Sequence, residues 1–186
     1  AFLEASRLSY LDRDFYIADP NYFEVPTEAL LDTNYLKQRA SLIKNKSSQS
    51  YKRGLIDPFI ESNLIRGESH ENRSTTHISI VDSMGNAVSL TSSIEFAFGS
   101  GITIGGFFMN NQLTDFSFFS KDLEGAQIAN NVSPGKKPRS SMAPTLIFND
   151  KNNLVGIVGS PGGSRIICYV AKTIFDILYL DIAPDR

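Results

Sequence analysis

Hydrophobic residues at helical spacing dominate both ends of the chain. Leucine and alanine recur on one helical face over the first dozen residues, and a second helical pattern follows over residues 27–43. Within that second stretch, Asp32 stands where a side-chain oxygen caps a helix. Residues 166–180 are apolar nearly all round. The pattern therefore predicts helices near both ends, with a different arrangement between them.

Alternating apolar and polar residues predict strands in the middle of the chain. Two hairpins are expected, each made of two alternating stretches around a turn of Gly, Asn or Asp. Their strands cover residues 78–81 with 87–91, and 142–148 with 154–158. A short strand is also predicted at residues 107–109.

Two segments lack both the helical and the strand periodicity, one polar and the other aromatic at its start and polar later. Residues 61–74 contain too few apolar side chains to order themselves, which predicts a loop or mobile tail that ends at Ser74. Residues 116–137 predict a long irregular loop, and loops of that length are often lids or binding segments. The first of these segments gives way abruptly to a strand that begins with Thr75.

Composition narrows the functional classes. The 186 residues are 41% hydrophobic and 20% charged, which is typical of a globular protein with one domain or two small ones. A net charge of −2 and the lack of a basic stripe argue against nucleic-acid binding. No apolar run approaches the roughly 20 residues of a membrane span. The chain begins in mid-pattern and stops abruptly, so we expect a piece of a longer protein.

The glycine-rich stretch 159–165 lies between a predicted strand and a predicted helix. It lacks the Gly-Lys-Ser/Thr ending of a phosphate-binding loop, but the amides of Gly162 and Gly163 at a helix N-terminus suit an oxyanion. The chain has 2 histidines, His70 and His77, without further ligands at metal-binding spacing. We therefore expect no metal or cofactor, and we interpret His77 as a packed or hydrogen-bonded strand residue.

Thr75 has two interpretations. A β-branched residue at the start of a strand is ordinary. Alternatively, Thr75 is a nucleophile that uses its own α-amine as base. A free α-amine titrates near pH ~8 whereas an amide nitrogen is not basic, so this chemistry requires prior cleavage of the Ser74–Thr75 bond.

Several blocks of sequence resemble the γ-glutamyltranspeptidase family, in the same order along the chain. They are Thr75-Thr76-His77-Ile78-Ser79-Ile80-Val81-Asp82 and residues 85–89, 98–101, 110–116, 134–145 and 159–165. Residues 12–20 resemble the family's segment near the end of its large subunit. The resemblance thus covers nearly all of the chain after Ser74.

The resemblance implies an N-terminal-nucleophile hydrolase with an α+β fold, part of a four-layer αββα sandwich. Such a protein is made as one precursor that cleaves itself into a large and a small subunit. The cut would fall between Ser74 and Thr75. Residues 1–74 would be the C-terminal part of the large subunit, ending in the mobile polar tail, and residues 75–186 the N-terminal part of the small, catalytic subunit. A periplasmic or secreted location is implied, although the chain shows no signal peptide.

The resemblance also implies roles for individual residues. Thr75 would attack the carbonyl of a γ-glutamyl donor such as glutathione and pass the glutamyl group to water or to an amino-acid or peptide acceptor. Gly162 and Gly163 match the family's oxyanion hole, and Ser93 matches a hydroxyl that supports the nucleophile. Asp115 and its neighbour Gln112 match the contacts to the substrate α-amino group, and Ser140 and Ser141 match the contacts to its α-carboxylate.

Two departures leave alternatives open. Well-studied transpeptidases have Thr and Asn where this chain has Ser93 and Glu95, and Glu95 adds a negative charge where the glutamyl head group is expected. The family's arginine for the substrate carboxylate has no counterpart here, so we expect this chain alone to be inactive. The alternatives are a relative that acts on poly-γ-glutamate or an acyl amide, and an inactive truncated product or non-catalytic binding domain.

Overall fold

The computed structural model describes residues 1–47, 50–60, 62–67, 74–119 and 126–183. The chain folds as two compact units. The first unit comprises Ala1–His70 and Leu113–Arg139, and the second comprises Glu71–Gln112 and Ser140–Arg186. In the described residues, no helix is long and apolar enough to cross a membrane.

Three helices open the first unit: α1 (Phe2–Tyr16), α2 (Thr27–Leu31) and α3 (Thr33–Ser41). The single helical stretch predicted over residues 27–43 is divided, because Asp32 is extended with ψ of 133°. Its carboxylate accepts hydrogen bonds from the backbone N–H groups of Asn34 (2.9 Å) and Tyr35 (3.0 Å). The predicted cap is confirmed, and it begins a new helix.

A buried carboxylate ties α1 to α3 and to the segment that follows. Asp12 accepts hydrogen bonds from the Arg39 guanidinium (2.9 Å), the Tyr35 hydroxyl (2.7 Å) and the Gly54 N–H (2.8 Å). Burial, reinforced by the bond to Asp12, raises the pKa of Tyr35. Because three donors surround it, the charge of Asp12 is compensated, and the apolar core around Tyr16 forms beside it.

The second unit begins with the hairpin of β1 (Thr75–Val81) and β2 (Ala87–Ser93). The strands pair antiparallel in a register that runs from Thr75 opposite Ser93 to Val81 opposite Ala87. The Asp82 carboxylate closes the turn by accepting hydrogen bonds from the Asn86 side chain (2.7 Å) and from the backbone N–H groups of Met84 and Asn86. The predicted hairpin is confirmed, with β1 starting at Thr75 itself.

Two further hairpins and one helix complete the second unit. The strands are β3 (Thr103–Ile104) with β4 (Phe107–Phe108), and β5 (Thr145–Phe148) with β6 (Leu154–Val158). Strand β5 is shorter than the predicted 142–148, because Pro144 has no N–H to give to a strand ladder. After β6 comes α4 (Ile166–Tyr179), the helix that the apolar pattern predicted. It packs Ile166 and Val170 against Val158.

The two non-periodic segments fall partly outside the described residues. Of the predicted tail, residues 61 and 68–73 lie outside them. The described residues 62–67 are packed instead, since Leu64 is buried and Arg66 pairs with Asp14 at 2.8 Å, so a mobile tail is wrong for that part. For the remainder it stays a prediction, as does the division of the chain after Ser74. The described parts of 116–137 are irregular, as predicted, apart from the short bridges of Ser117 to Asn131 and of Gln127 to Leu64. This loop nevertheless carries buried side chains, including Phe116 and Ile128.

Candidate active site

A chain of hydrogen bonds ends on the peptide bond before Thr75. Ser93 faces Thr75 across the hairpin, and its hydroxyl donates to the carbonyl oxygen of Ser74 at 3.1 Å. The same hydroxyl oxygen accepts the backbone N–H of Glu95 at 3.0 Å. A hydroxyl that accepts one hydrogen bond becomes a better donor in the next. The carbonyl of the Ser74–Thr75 bond is therefore polarised by Ser93.

Glu95 occupies a backbone conformation that non-glycine residues rarely adopt. Its φ is 73°, and the residue is only 3% exposed. Such a conformation costs about 1–3 kcal/mol and persists where neighbours enforce it. Here Asn111 bonds on both sides of Glu95, since its side-chain oxygen accepts the N–H of Phe96 (2.9 Å) and its own N–H donates to the carbonyl of Ile94 (3.2 Å). Asn111 thus fixes the backbone that supports Ser93.

The His77 ring connects β1 to the glycine-rich segment. Its Nδ1 lies 2.8 Å from the Thr91 hydroxyl oxygen and its Nε2 lies 3.0 Å from that of Ser79. The ring packs so closely on Gly159 that a Cβ there would overlap it. The prediction of a packed, hydrogen-bonded histidine is confirmed. Gly159 is required at this contact because no side chain fits.

Gly162 and Gly163 begin the turn that leads into α4. Their φ angles are 139° and 58°, and a Cβ on Gly162 would lie 2.9 Å from the Tyr169 ring. The first backbone N–H groups of a helix have no partner inside the helix and lie at the positive end of its dipole. The predicted order of strand, glycine turn and helix is confirmed, and this end of α4 is chemically suited to hold an oxyanion.

The predicted substrate-binding residues occupy more than one setting. Gln112 begins a short 3₁₀ helix, Gln112–Asp115, and its N–H donates to the Asn110 side chain at 3.0 Å. Asp115, at the end of that helix, is buried at 6% exposure. Ser141 is buried, whereas Ser140 is exposed and its hydroxyl accepts the N–H of Met142 at 3.1 Å.

The structure brings together only part of the predicted site. Ser93 contacts both the peptide before Thr75 and the backbone of Glu95, whereas Asp115 belongs to the first unit and the other predicted residues to the second. The individual substrate and catalytic roles stay predictions. Among the described residues, no group of three His, Cys, Asp or Glu side chains could hold a metal ion.

The family model for gamma-glutamyltranspeptidase matches residues 1–186. The chain belongs to the γ-glutamyltranspeptidase family. It is 38% identical over 181 residues to the glutathione hydrolase proenzyme of Escherichia coli K12, an alignment that covers 92% of this chain and 29% of that protein. This family member thus spans less than a third of the length of that relative.

Solved structures of related proteins confirm the fold of this chain. A mutant γ-glutamyltranspeptidase of Helicobacter pylori superimposes with a TM-score of 0.51 at 39% identity, covering 58% of this chain and 61% of that one. A cephalosporin acylase of Bacillus halodurans superimposes with a TM-score of 0.75 over 98% of this chain and 30% of that one. At 22% identity the acylase supports the fold alone. The predicted α+β fold of an N-terminal-nucleophile hydrolase is confirmed.

Sequence reasoning missed several residues that support the predicted site residues. Asn130 bonds to the backbone of Asp115, Asn111 holds Glu95, and Gly159 accommodates His77. No local pattern distinguished these residues, because their partners lie far away in the sequence or depend on backbone conformation. The motif blocks 110–116 and 159–165 contained Asn111 and Gly159, but they did not identify their contacts.

Proposed function

We propose that this chain carries the nucleophile of an autoprocessed γ-glutamyl hydrolase and transferase, with Thr75 as that nucleophile. The observation that carries the proposal is the bond from the Ser93 hydroxyl to the carbonyl of Ser74, directly across from Thr75. Family membership supports the same bond as the site of cleavage.

Cleavage would proceed through an ester. The Thr75 hydroxyl attacks the Ser74 carbonyl carbon, and the oxygen that becomes negative is the one to which Ser93 donates. The C–N bond then breaks and the Thr75 nitrogen takes the proton of the Thr75 hydroxyl. The Ser74 acyl group is now bound to the Thr75 oxygen as an ester. Water hydrolyses this ester, which leaves a carboxylate on Ser74 and a free amine and hydroxyl on Thr75. Ser93 contributes by stabilising charge that develops only during the reaction.

Turnover would use the newly freed groups. The α-amine, which titrates near pH ~8, takes the proton of the Thr75 hydroxyl as the oxygen attacks the γ-carbonyl of a donor such as glutathione. Gly162 and Gly163 would bind the resulting oxyanion, and the leaving amine receives the proton. Water or an acceptor amine then releases the glutamyl group and regenerates Thr75. Asp115 and the serines at 140 and 141 would hold the α-amino and α-carboxylate groups of the donor.

The first test is cleavage of the protein at its full natural length. We expect the wild type to separate into two polypeptides, with the second beginning at Thr75 by mass spectrometry. Thr75→Ala should remain a single polypeptide because it has no hydroxyl. Thr75→Ser should still cleave, since it keeps the attacking oxygen. A Thr75→Ala protein that is cut at the same bond would refute the assignment of the nucleophile.

The second test is activity of the cleaved protein. Hydrolysis of a chromogenic γ-glutamyl anilide should appear with cleavage and be absent from Thr75→Ala. Ser93→Ala should slow cleavage by about 10²–10³-fold, the effect of removing one oxyanion donor. Ser92→Ala is the matched control, since that exposed neighbour faces Thr76 instead. Cleaved wild-type protein that hydrolyses poly-γ-glutamate or an acyl amide but no γ-glutamyl anilide would contradict the proposed donor.

A further inference from the structure

Asn130 is a fully buried polar residue in the irregular part of the first unit. It has 0% exposure, although the segment around it forms no helix or regular strand. A buried carboxamide is costly unless its donors and acceptors are paired. The side-chain N–H and oxygen of Asn130 therefore need hydrogen-bond partners inside the protein.

The hydrogen bonds of Asn130 bracket Asp115. Its side-chain Nδ2 donates to the carbonyl oxygen of Asp115 at 2.8 Å. Its own backbone carbonyl accepts the N–H of Ser117 at 2.9 Å. The backbone is thus held at Asp115 and again two residues later. This leaves little freedom for the Asp115 side chain, which is itself buried.

The other end of the Asn130 carboxamide is anchored by Arg139. The Asn130 Oδ1 accepts the backbone N–H of Arg139 at 3.0 Å. The guanidinium of Arg139 in turn pairs with Asp14 at 3.1 Å and donates to the carbonyl of Gly67 at 2.9 Å. Asn130 consequently connects Asp115 to a buried, charge-paired anchor within the same unit.

We propose that Asn130 is a positioning residue for recognition of the donor's α-amino group, and that it acts by holding the backbone of Asp115. The inference rests on the proposed function, in which the Asp115 carboxylate binds that cationic group. Asn130 itself would not touch the donor. The Asn130 carboxamide holds the backbone from which the Asp115 side chain extends. Loss of that carboxamide should therefore weaken the binding of donors that carry an α-amino group.

Two substitutions at full protein length test this role. Asn130→Asp keeps the size and the acceptor for Arg139 but replaces the donor to the Asp115 carbonyl with an oxygen. Asn130→Ala removes both interactions. For γ-glutamyl-p-nitroanilide we expect each substitution to raise KM about tenfold and to change kcat by less than about twofold. This is the pattern when a mutation removes a binding interaction that is equally strong in the ground state and the transition state. Asn153→Asp, the same change in an exposed turn, should leave both parameters unchanged.

A second donor separates positioning from a general loss of structure. Glutaryl-p-nitroanilide lacks the α-amino group, so its KM should be nearly the same in wild type and in both Asn130 variants. The variants should therefore lose most of the preference for the amino-bearing donor. Before the kinetic comparison, each protein is checked for cleavage by mass spectrometry and for a cooperative thermal unfolding transition. If Asn130→Asp does not fold, Asn130→Ser replaces it.

The outcomes distinguish this inference from the proposed function. Wild-type protein that neither cleaves nor hydrolyses the anilide would contradict the proposed function. An active wild type, together with folded, cleaved Asn130 variants that keep the wild-type preference between the two donors, would overturn the role of Asn130 alone. Equal loss with both donors would also overturn it, since that result indicates a purely structural effect.

Discussion

Replacing Arg139 by Met should destabilise the protein much more than replacing Arg66 by Met. Both arginines pair with the carboxylate of Asp14, at 3.1 Å for Arg139 and 2.8 Å for Arg66. Their exposure differs sharply: the Arg139 side chain is 2% exposed and that of Arg66 is 55% exposed. The two substitutions thus remove the same kind of charge from the same partner in different surroundings.

The expected magnitudes follow from burial. An exposed ion pair contributes about 0–1 kcal/mol, because water screens it and side-chain entropy opposes it. Loss of one partner from a buried pair costs about 3–5 kcal/mol. Arg139 also donates to the carbonyls of Gly67 (2.9 Å) and Arg13 (3.3 Å), which methionine would leave without this donor. Since Arg66 still neutralises Asp14, we expect about 3 kcal/mol for Arg139→Met and at most about 1 kcal/mol for Arg66→Met.

Urea unfolding of both variants measures the difference. The Thr75→Ala protein is the suitable parent, because a chain that stays in one piece unfolds independently of protein concentration. With a slope of about 2–3 kcal/mol per molar urea, Arg139→Met should lower the midpoint by about 1 M. Equal midpoints for the two variants would refute the reasoning from burial. A slope that changes along with the midpoint would indicate altered compactness rather than altered stability.

Two further predictions concern the second unit. Gly159→Ala should reduce the free energy of unfolding by about 1–3 kcal/mol, because the added Cβ would overlap the His77 ring. In a double-mutant cycle, His77→Ala should relieve most of that loss. Additive losses for the two substitutions would contradict the contact. Hydrogen bonds from the Asn86 side chain and nearby backbone N–H groups lower the pKa of Asp82. Because this pKa is lower in the folded chain, Asp82 should stabilise the hairpin above its unfolded pKa of about 3.9 and lose that effect as pH falls through the folded value. In the Thr75→Ala parent, the urea midpoints with and without Asp82→Ala should differ at pH 7 and converge in acid, and a constant difference would contradict the assignment.

Local patterns predicted the elements that carry Thr75 and the glycine turn. Alternating apolar residues and a Gly-Asn turn predicted the first hairpin, and apolar residues predicted α4 to within one residue of its observed end. The cap at Asp32 was also visible, although the resulting break between α2 and α3 was not. These features depend on neighbours in sequence, so a single sequence is sufficient to find them.

Contacts between distant residues were not predictable in this way. Arg139 pairs with Asp14 across more than one hundred positions, and neither residue lies in a pattern that indicates burial. The positive φ of Glu95 is accompanied by hydrogen bonds from Asn111 to the backbone of Ile94 and Phe96, on either side of Glu95. The motifs predicted which residues match the family's site, but the supporting interactions arise only when the chain is folded.

The turn at Asp82 links the fold of the hairpin to the chemistry proposed at its far end. Ser92 and Ser93 are both serines, so residue type alone does not decide which hydroxyl supports Thr75. The register decides it, because a shift of one residue would reverse the face of every side chain in β2. That register is set where Asp82 and Asn86 close the turn. A local network of hydrogen bonds seven residues from Thr75 therefore determines that Ser93 faces Thr75 and donates to the carbonyl of the peptide bond before it.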